Sequence, residues 1–375
     1  MDRQIDTGWL ALAQLSRVGA RARIALLEQL GSPEAVFSTP GATLKTILAE
    51  QNPDGGMDIG AAVEALLRGP DTDSFAADLA WLSQDHHHLV RWTDADYPPL
   101  LREIADPPIA LYVVGERAAL SQPQLAIVGS RNASPAGREN AAAFARSLSA
   151  AGLTITSGLA LGVDGAAHQG ALDAGGKTVA ACGTGLDRVY PARHRDLAHA
   201  IAKNGALISE FRIGSPPRPQ HFPVRNRLIS GLSFGVLVVE AALESGSLIT
   251  ARLALEHGRE VFAVPGSIHS PLARGCHALI RQGAKLVETA NDIIEELGAL
   301  AQLTRHTASA RGAPQRALSP QAERLLTCLG HDPATLDHLV ERSGLTAHAV
   351  SSMLVTLELE GIVAAMPGGR FQRMP

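Results

Sequence analysis

Lysine is nearly missing from this chain. Its 375 residues hold four, Lys45, Lys177, Lys203 and Lys285, so almost all of the 33 basic side chains are arginines. A genomic preference for Arg and Ala codons accounts for that, and arginine richness alone does not indicate nucleic-acid binding. Aromatic residues make up only 4%, so the cores must be built from Ala, Leu, Val and Ile. Cysteine is limited to Cys182, Cys276 and Cys328, far apart and odd in number, which argues against a disulfide framework or a paired metal site. No run approaches the roughly 20 apolar residues of a membrane span, and the N-terminus lacks the pattern of a signal peptide. The expectation is a cytoplasmic protein without membrane contact. A strict GxGxxG is absent, which disfavours NAD or FAD, and no cofactor is expected. ALDAGGKT (171–178) satisfies a relaxed Walker pattern, but it ends a helix and opens a strand. A phosphate-binding loop must do the reverse.

Acidic residues are missing from one stretch in particular. None occurs between Glu210 and Glu240, and that gap contains HFPVRNRLISGLS, residues 221–233. The formal net charge is −4. Residues 1–120 hold 9 basic and 17 acidic side chains, whereas residues 188–227 hold eight Arg or Lys against Asp196 and Glu210. A local basic stripe on an acidic protein predicts a specific anion site.

What is present reads as several domains, since the length suits two or three. Residues 1–86 carry short amphipathic helices (8–18, 21–31, 41–51, 58–69, 75–86) with the small-residue turns of a helix-hairpin-helix, SAM-like domain. Because the segment is acidic, packing or docking suits it better than DNA contact. His86–His88 lack a ligand partner at useful spacing and suit the solvated start of a strand. Residues 86–92 and 109–115 predict lead-in strands. From Gln124 onward, continuous apolar strands alternate with helices, which predicts a doubly wound, mostly parallel α/β sheet of Rossmann-like type over 87–302. Residues 303–316 read as a linker. Residues 317–375 read as three helices and a hairpin, a winged helix. Its third helix offers Ser351, Ser352, Thr356, Glu358 and Glu360 but no Arg or Lys, which disfavours sequence-specific duplex reading.

Such sheets bind ligands at the carboxyl ends of their strands. The loops expected there are VGSRNASPAG, SGLALGVDG, CGTGLDRVYP and ESGSLITA, where Gly129, Gly158, Gly183, Gly185 and Gly246 would let backbone approach a ligand. Ser134 and Pro135 mark a helix start. Ser245 and Ser247 stand at another, where free amides and the helix dipole favour an anion. Pro223 is expected as the first residue of the next helix, with Val224, Leu228 and Leu232 on its buried stripe. Arg225 and Arg227 then fall in its first turn, where cations are unfavourable unless they meet an acid such as Glu240 or Asp164, or a phosphate. Arg131 would converge from a neighbouring loop. Asp187, Tyr190 and His194 cluster without a nucleophile–base order, and Asp164 and Glu240 serve either as bases or as loop-ordering acids.

The motifs AIVGSR, SGLALGVDGAAH, GTGLDRVYP, FPVRNRLISGLS, VVEAALESGSLITA and GREVFAVPG, in this order over roughly residues 95–300, resemble the DprA (Smf) DNA-processing proteins of bacteria. The resemblance implies cooperative binding and protection of single-stranded DNA during natural transformation, loading of RecA, a homodimer, and no catalytic turnover. By motif it places Gly129, Ser130, Arg131, Arg225, Asn226 and Arg227 along a phosphate groove, with Ser157, Gly158, Lys177, Gly183, Ser245 and Ser247 nearby. His194 stands where the family commonly has Asn, and GVD replaces GID. Bases need stacking partners, and Phe222, His221, Phe211 and Tyr190 are the candidates. The alternative is a nucleotide-hydrolysing enzyme similar to the lysine-decarboxylase-like phosphoribohydrolases. Their PGGxGTxxE motif is absent here, since Glu240 precedes the Gly-Ser step. A third reading is a nucleotide-sensing scaffold with the same pocket.

Overall fold

The computed structural model describes residues 3–15, 17–53, 55–298, 320–329, 334–359, 362–366 and 370–373. They fall into two compact units, Met1–Glu295 and Glu296–Pro375. The first opens with helices α1 (Arg3–Ala13), α2 (Ala20–Leu30), α3 (Pro33–Ser38), α4 (Gly41–Glu50), α5 (Ile59–Leu67) and α6 (Ala76–Leu82). The helix α3 is one more than periodicity predicts, because six residues are too few to show a 3.6-residue repeat. Its ends are set locally instead: the Ser32 side chain accepts from Ala35 N, and Pro33 occupies the first turn.

The chain then lays down β1 (His87–Arg91), α7 (Pro99–Arg102), β2 (Ala110–Gly115), β3 (Gln124–Val128), α8 (Pro135–Ala150), β4 (Thr154–Ser157), α9 (Val163–Asp173) and β5 (Thr178–Ala181). It continues with α10 (Arg195–Asn204), β6 (Gly205–Ser209), α11 (His221–Leu232), β7 (Gly235–Val238), α12 (Ser247–Glu256), β8 (Glu260–Ala263), α13 (Arg274–Arg281) and β9 (Lys285–Leu286). A further helix, α14, is described over residues 290–298. The nine strands make one sheet in the order β1-β2-β6-β5-β4-β3-β7-β8-β9. Strands β3 to β9 run parallel, and β1 and β2 join antiparallel through the β2–β6 pair. Every residue of β3, β4, β5, β6 and β7 is buried, as a sheet covered on both faces requires. The expected mostly parallel, doubly wound sheet is what forms.

The order reverses between β3 and β7, so the loops after these two strands diverge around a crevice at the carboxyl edge. That is where such sheets take their ligands. The N-terminal helices are not set apart from the sheet. One hydrophobic cluster runs from Trp9 and Leu26 through Val90 and Tyr112 to Val128 and Val238. His87 is part of that junction: its Nδ1 lies 2.9 Å from Trp81 O and its ring 4.0 Å from the Trp81 ring.

The second unit holds α15 (Pro320–Leu329), β10 (Ala334–Thr335), α16 (Leu336–Ser343), α17 (Ala347–Leu359), β11 (Val363–Met366) and β12 (Arg370–Arg373). Leu325, Leu339, Val350, Leu354 and Val363 form its core. This is the expected winged helix, with β10 added to the hairpin as a third strand. Ser351 and Ser352 are exposed on α17, whereas the side chains of Thr356, Glu358 and Glu360 lie outside the described residues, as does the linker at 303–316. Among the described residues no helix is long and apolar enough to cross a membrane.

Candidate functional site

A cleft of about 800 Å³ opens at the β3/β7 crevice. The loop after β3 supplies Gly129, Ser130, Arg131 and Asn132, and the loop leading into α12 supplies Glu244, Ser245, Gly246 and Ser247. The first turns of α11 and the segment before it supply Pro217, Pro219, Phe222, Arg225 and Asn226. Glu240 sits under this junction. Its Oε2 accepts from Ser134 N at 2.9 Å, its Oε1 from Ser134 Oγ at 2.6 Å, and its carbonyl from Ser130 N at 2.7 Å. Ser134 Oγ in turn accepts from Gly137 N, capping α8. Glu240 is thus a loop-ordering acid, with both carboxylate oxygens committed.

The two arginines of the 221–233 motif part company. The helix α11 begins at His221, two residues before the expected start, because a proline in the first turn surrenders an amide that has no intrahelical partner anyway. Its buried side then carries Arg225, Leu228, Ile229 and Leu232, and Val224 falls outside that stripe, 45% exposed rather than buried. Arg225 is 3% exposed. Its Nη1 donates to Gly158 O at 2.5 Å and also to Ala181 O, which fixes it as a floor of the cleft. Asp164 lies beside it, with Oδ2 accepting from Gly158 N and Ala160 N. Burial pushes the Asp164 carboxyl up and the Arg225 guanidinium down, and each opposes the other's shift as a counter-ion. Arg227 turns the other way. It pairs with Glu210 at 2.5 Å and with Asp106 at 3.2 Å and does not reach the cleft. Burial pulls its pKa down, but Glu210 and Asp106 more than offset this and the net shift is upward. The structure thus answers Arg227 with an ion pair, though not with the acids expected.

The remaining cation of the cleft is Arg131, which is exposed. Its guanidinium sits 5.3 Å from the Phe222 ring centroid. Tyr190, 47% exposed, has its ring 5.6 Å from that of Phe222. Together with Arg131, Gly158 and Arg225 the two rings line a smaller recess of about 70 Å³ that borders the cleft. Phe211 and His221, by contrast, stack on each other at 4.1 Å, and His221 Nδ1 lies 3.1 Å from Gly183 O. Of the four stacking candidates, Phe222 and Tyr190 are the pair placed at the cleft.

Other expected residues are placed as follows. Asn226 donates to Gly246 O at 3.4 Å, and Ser245 Oγ lies 2.7 Å from Ser247 Oγ, so these three join the cleft wall. Ser130 Oγ accepts from Asn132 N. Ser157 is fully buried and donates to Ile127 O at 2.6 Å, tying β4 to β3. Lys177 precedes β5 on the opposite, amino edge of the sheet and pairs with Glu116 at 2.6 Å. A Cβ on Gly129 would lie 2.7 Å from Val163 Cγ2, and one on Gly183 would lie 3.0 Å from Phe222. These glycines make room for the protein itself, whereas Gly246 faces open space. Nor do the arginines of 188–227 form a continuous stripe: Arg188 pairs with Asp187, Arg212 with Asp78 and Arg227 with Glu210. His194, at the departing position, places Nδ1 2.9 Å from Leu159 O and so holds the loop after β4, where Leu159 has φ of 59°. Sequence reasoning did not single out Asn132, Pro217, Pro219 or Glu244 as lining residues. Only their closeness to recognised motifs hinted at them.

The family model described as DNA recombination-mediator protein A matches residues 88–298, and that described as DprA winged helix domain matches 309–369. The chain is 46% identical over 305 residues to Protein Smf of Escherichia coli strain K12, covering 79% of this chain and 80% of that protein. To DNA processing protein DprA of Streptococcus pneumoniae it is 45% identical over 224 residues, covering 59% and 79%. The X-ray structure of DprA from Streptococcus pneumoniae superposes with a TM-score of 0.65 at 37% identity, covering 77% of this chain and 95% of that one. A structure of DNA processing protein A from Helicobacter pylori, described by its single-stranded DNA binding mode, superposes with a TM-score of 0.51 at 32% identity, covering 56% and 96%.

Proposed function

Since the chain belongs to the DNA recombination-mediator protein A (DprA/Smf) family of DNA-processing proteins, we propose that its cleft holds single-stranded DNA, with Arg131 on the phosphates and Phe222 and Tyr190 against the bases. The observation that carries this reading is the pairing, at one switch-point crevice, of an exposed arginine with two adjacent aromatic rings. Single-strand binders combine these two elements: cationic groups track the backbone, and each base presents a face for stacking whatever its identity. The Ser245 and Ser247 hydroxyls and the Gly246 amide at the start of α12 offer a second anion contact. Cooperative binding, protection of the strand, loading of RecA and a homodimer belong to the same proposal and rest on family membership. Leu243 and Leu255, both 56% exposed in and beside α12, are apolar side chains available to a second copy.

No turnover is part of the proposal. Glu240, the acid that a phosphoribohydrolase reading would need, has both oxygens engaged by Ser134. The test is fluorescence anisotropy of labelled oligo-dT across a salt series, with AMP as competitor and its hydrolysis followed. Tight, salt-sensitive binding that AMP barely displaces is expected, and Arg131→Ala should flatten the log–log salt slope by about 0.7. AMP cleavage without oligonucleotide binding would overturn the reading in favour of an enzyme.

A further inference from the structure

Between β6 and α11 the chain runs through residues 210–220 without helix or strand, yet it supplies Pro217 and Pro219 to the cleft and leads directly into Phe222. Such a segment has no ladder of its own, so its shape depends on what anchors it. The N-terminal helices anchor it through Asp78 on α6, which is fully buried. Its Oδ2 accepts from Arg212 Nε at 3.2 Å and Nη2 at 2.9 Å, and its Oδ1 accepts from Ile213 N at 3.1 Å and Tyr112 Oη at 2.5 Å. Arg212 also donates to Ser74 O and lies 4.3 Å from the Phe75 ring centroid. A second tie joins the segment to α11: Glu210 pairs with Arg227 at 2.5 Å, and the charge of Arg23 on α2 adds to the field that lowers the Glu210 pKa. Asp78 thus holds the segment at residues 212–213, and Glu210 joins it to α11.

We propose that the N-terminal helices position the α11-side wall of the cleft through the buried Asp78 clamp, so that Asp78 sets how firmly the cleft grips a strand without touching it. This rests on the single-stranded DNA reading above. The clamp reaches across 134 residues of sequence. Elsewhere the segment is tied by single hydrogen bonds: Gly214 N donates to Asp187 Oδ1 at 2.8 Å and Gly185 N to Ser215 O at 3.1 Å. Arg218 is exposed on the segment but does not line the cleft; the wall's lining side chains are rings, prolines, Asn226 and the buried Arg225, and the exposed Arg131 stands on the opposite loop. Loosening the wall should therefore weaken binding by the same factor at every salt concentration.

The decisive variant is Asp78→Asn in the full chain. The expected result is a Kd for oligo-dT raised between about two- and thirtyfold, the range found when a coupling network is perturbed. The salt slope and the fraction of active protein at saturation should stay at wild-type values. Combined with Phe222→Leu, the loss should be less than additive, because one variant already misplaces the ring that the other removes. Amides of residues 210–220 should exchange faster with deuterium while those of β4 and β5 do not. Additive losses, or unchanged exchange in 210–220, would overturn the proposal. Should Asp78→Asn not fold, Arg212→Lys keeps the charge and removes the fork, and is read in the same way. If wild type binds no oligonucleotide, the functional reading fails by itself, and the exchange experiment still decides whether the clamp holds the wall.

Discussion

Replacing Arg227 separates the two roles that a basic motif can have. In Arg227→Met the side chain keeps its length but leaves Glu210 buried without its 2.5 Å partner. Burial already pushes the Glu210 carboxyl up, and Arg227 is the first group that opposes this. Removing one member of a fully buried pair costs about 3–5 kcal/mol; here Glu210 keeps 16% side-chain exposure and the attraction of Arg23, which puts the loss at the lower end. The second partner, Asp106, is 59% exposed at its side chain and adds little. A loss of about 3 kcal/mol is therefore expected in urea unfolding, as a lowered midpoint at unchanged m-value. Affinity for oligo-dT should fall through the slackened wall, but the salt slope should not move, since Arg227 touches no phosphate. Arg131→Ala should behave in the opposite way. It is exposed, so stability should change by no more than about 0.5 kcal/mol. One lost phosphate contact removes about 0.7 from the slope, so a fourfold rise in salt narrows the gap between wild type and variant by about 2.6-fold. A wild-type midpoint for Arg227→Met, together with a slope flattened by about 0.7, would show that Arg227 leaves Glu210 for the strand and would refute the assignment.

Three further outcomes follow from other contacts. His168 is fully buried with Nδ1 2.7 Å from Thr178 Oγ1; that hydroxyl donates to Ile155 O, so the ring must donate to it, and Nε2 has no partner. Burial lowers its pKa from 6.5 to about 3; the stability gained by keeping it neutral is complete above pH 6.5 and is lost as pH falls towards 3, with a ceiling of about 5 kcal/mol, and pH-dependent urea unfolding of His168→Leu should be flatter across that window. Glu240→Ala strips the partners from Ser134 N and Oγ and should cost about 1–3 kcal/mol in thermal or urea unfolding. Phe222→Leu keeps bulk but removes the ring between Arg131 and Tyr190, and should weaken oligo-dT by about 1–3 kcal/mol in anisotropy titrations at an unchanged salt slope.

The sheet was legible because its determinants are local. Continuous apolar runs such as Leu125–Val128 can only be strands covered on both faces, and the Ser134–Pro135 pair fixes a helix start from two adjacent residues. The position of the cleft was equally legible, since it follows from topology. The fates of the arginines were not. Arg227 and Asp106 are 121 residues apart, and Arg212 and Asp78 are 134 apart, so no window of sequence shows that these charges meet. Glu210 marked one end of the acid-free stretch and read as its boundary, when it is the counter-ion of the motif inside. The register of α11 was missed by two residues for a related reason. Periodicity could not tell that a cation, Arg225, belongs to the buried stripe, because two carbonyls, Gly158 O just after β4 and Ala181 O at the end of β5, wait for it there. Arg131 was grouped with the motif arginines, yet it is the exposed cation of the cleft.

The antiparallel pair of β2 and β6 has a consequence for how the chain is made. Tyr112 faces Ser209 and Val114 faces Leu207 across that pair. Synthesis delivers the N-terminal helices, β1 and β2 early, but the strand that covers the second edge of β2 follows roughly 95 residues later, on the order of 5–20 s at cellular elongation rates. During that interval β2 carries an unpaired row of amides and carbonyls, the kind of edge that recruits strands from other chains. A nascent chain stalled between residues 116 and 204 therefore exposes that edge of β2, with its central seam still open.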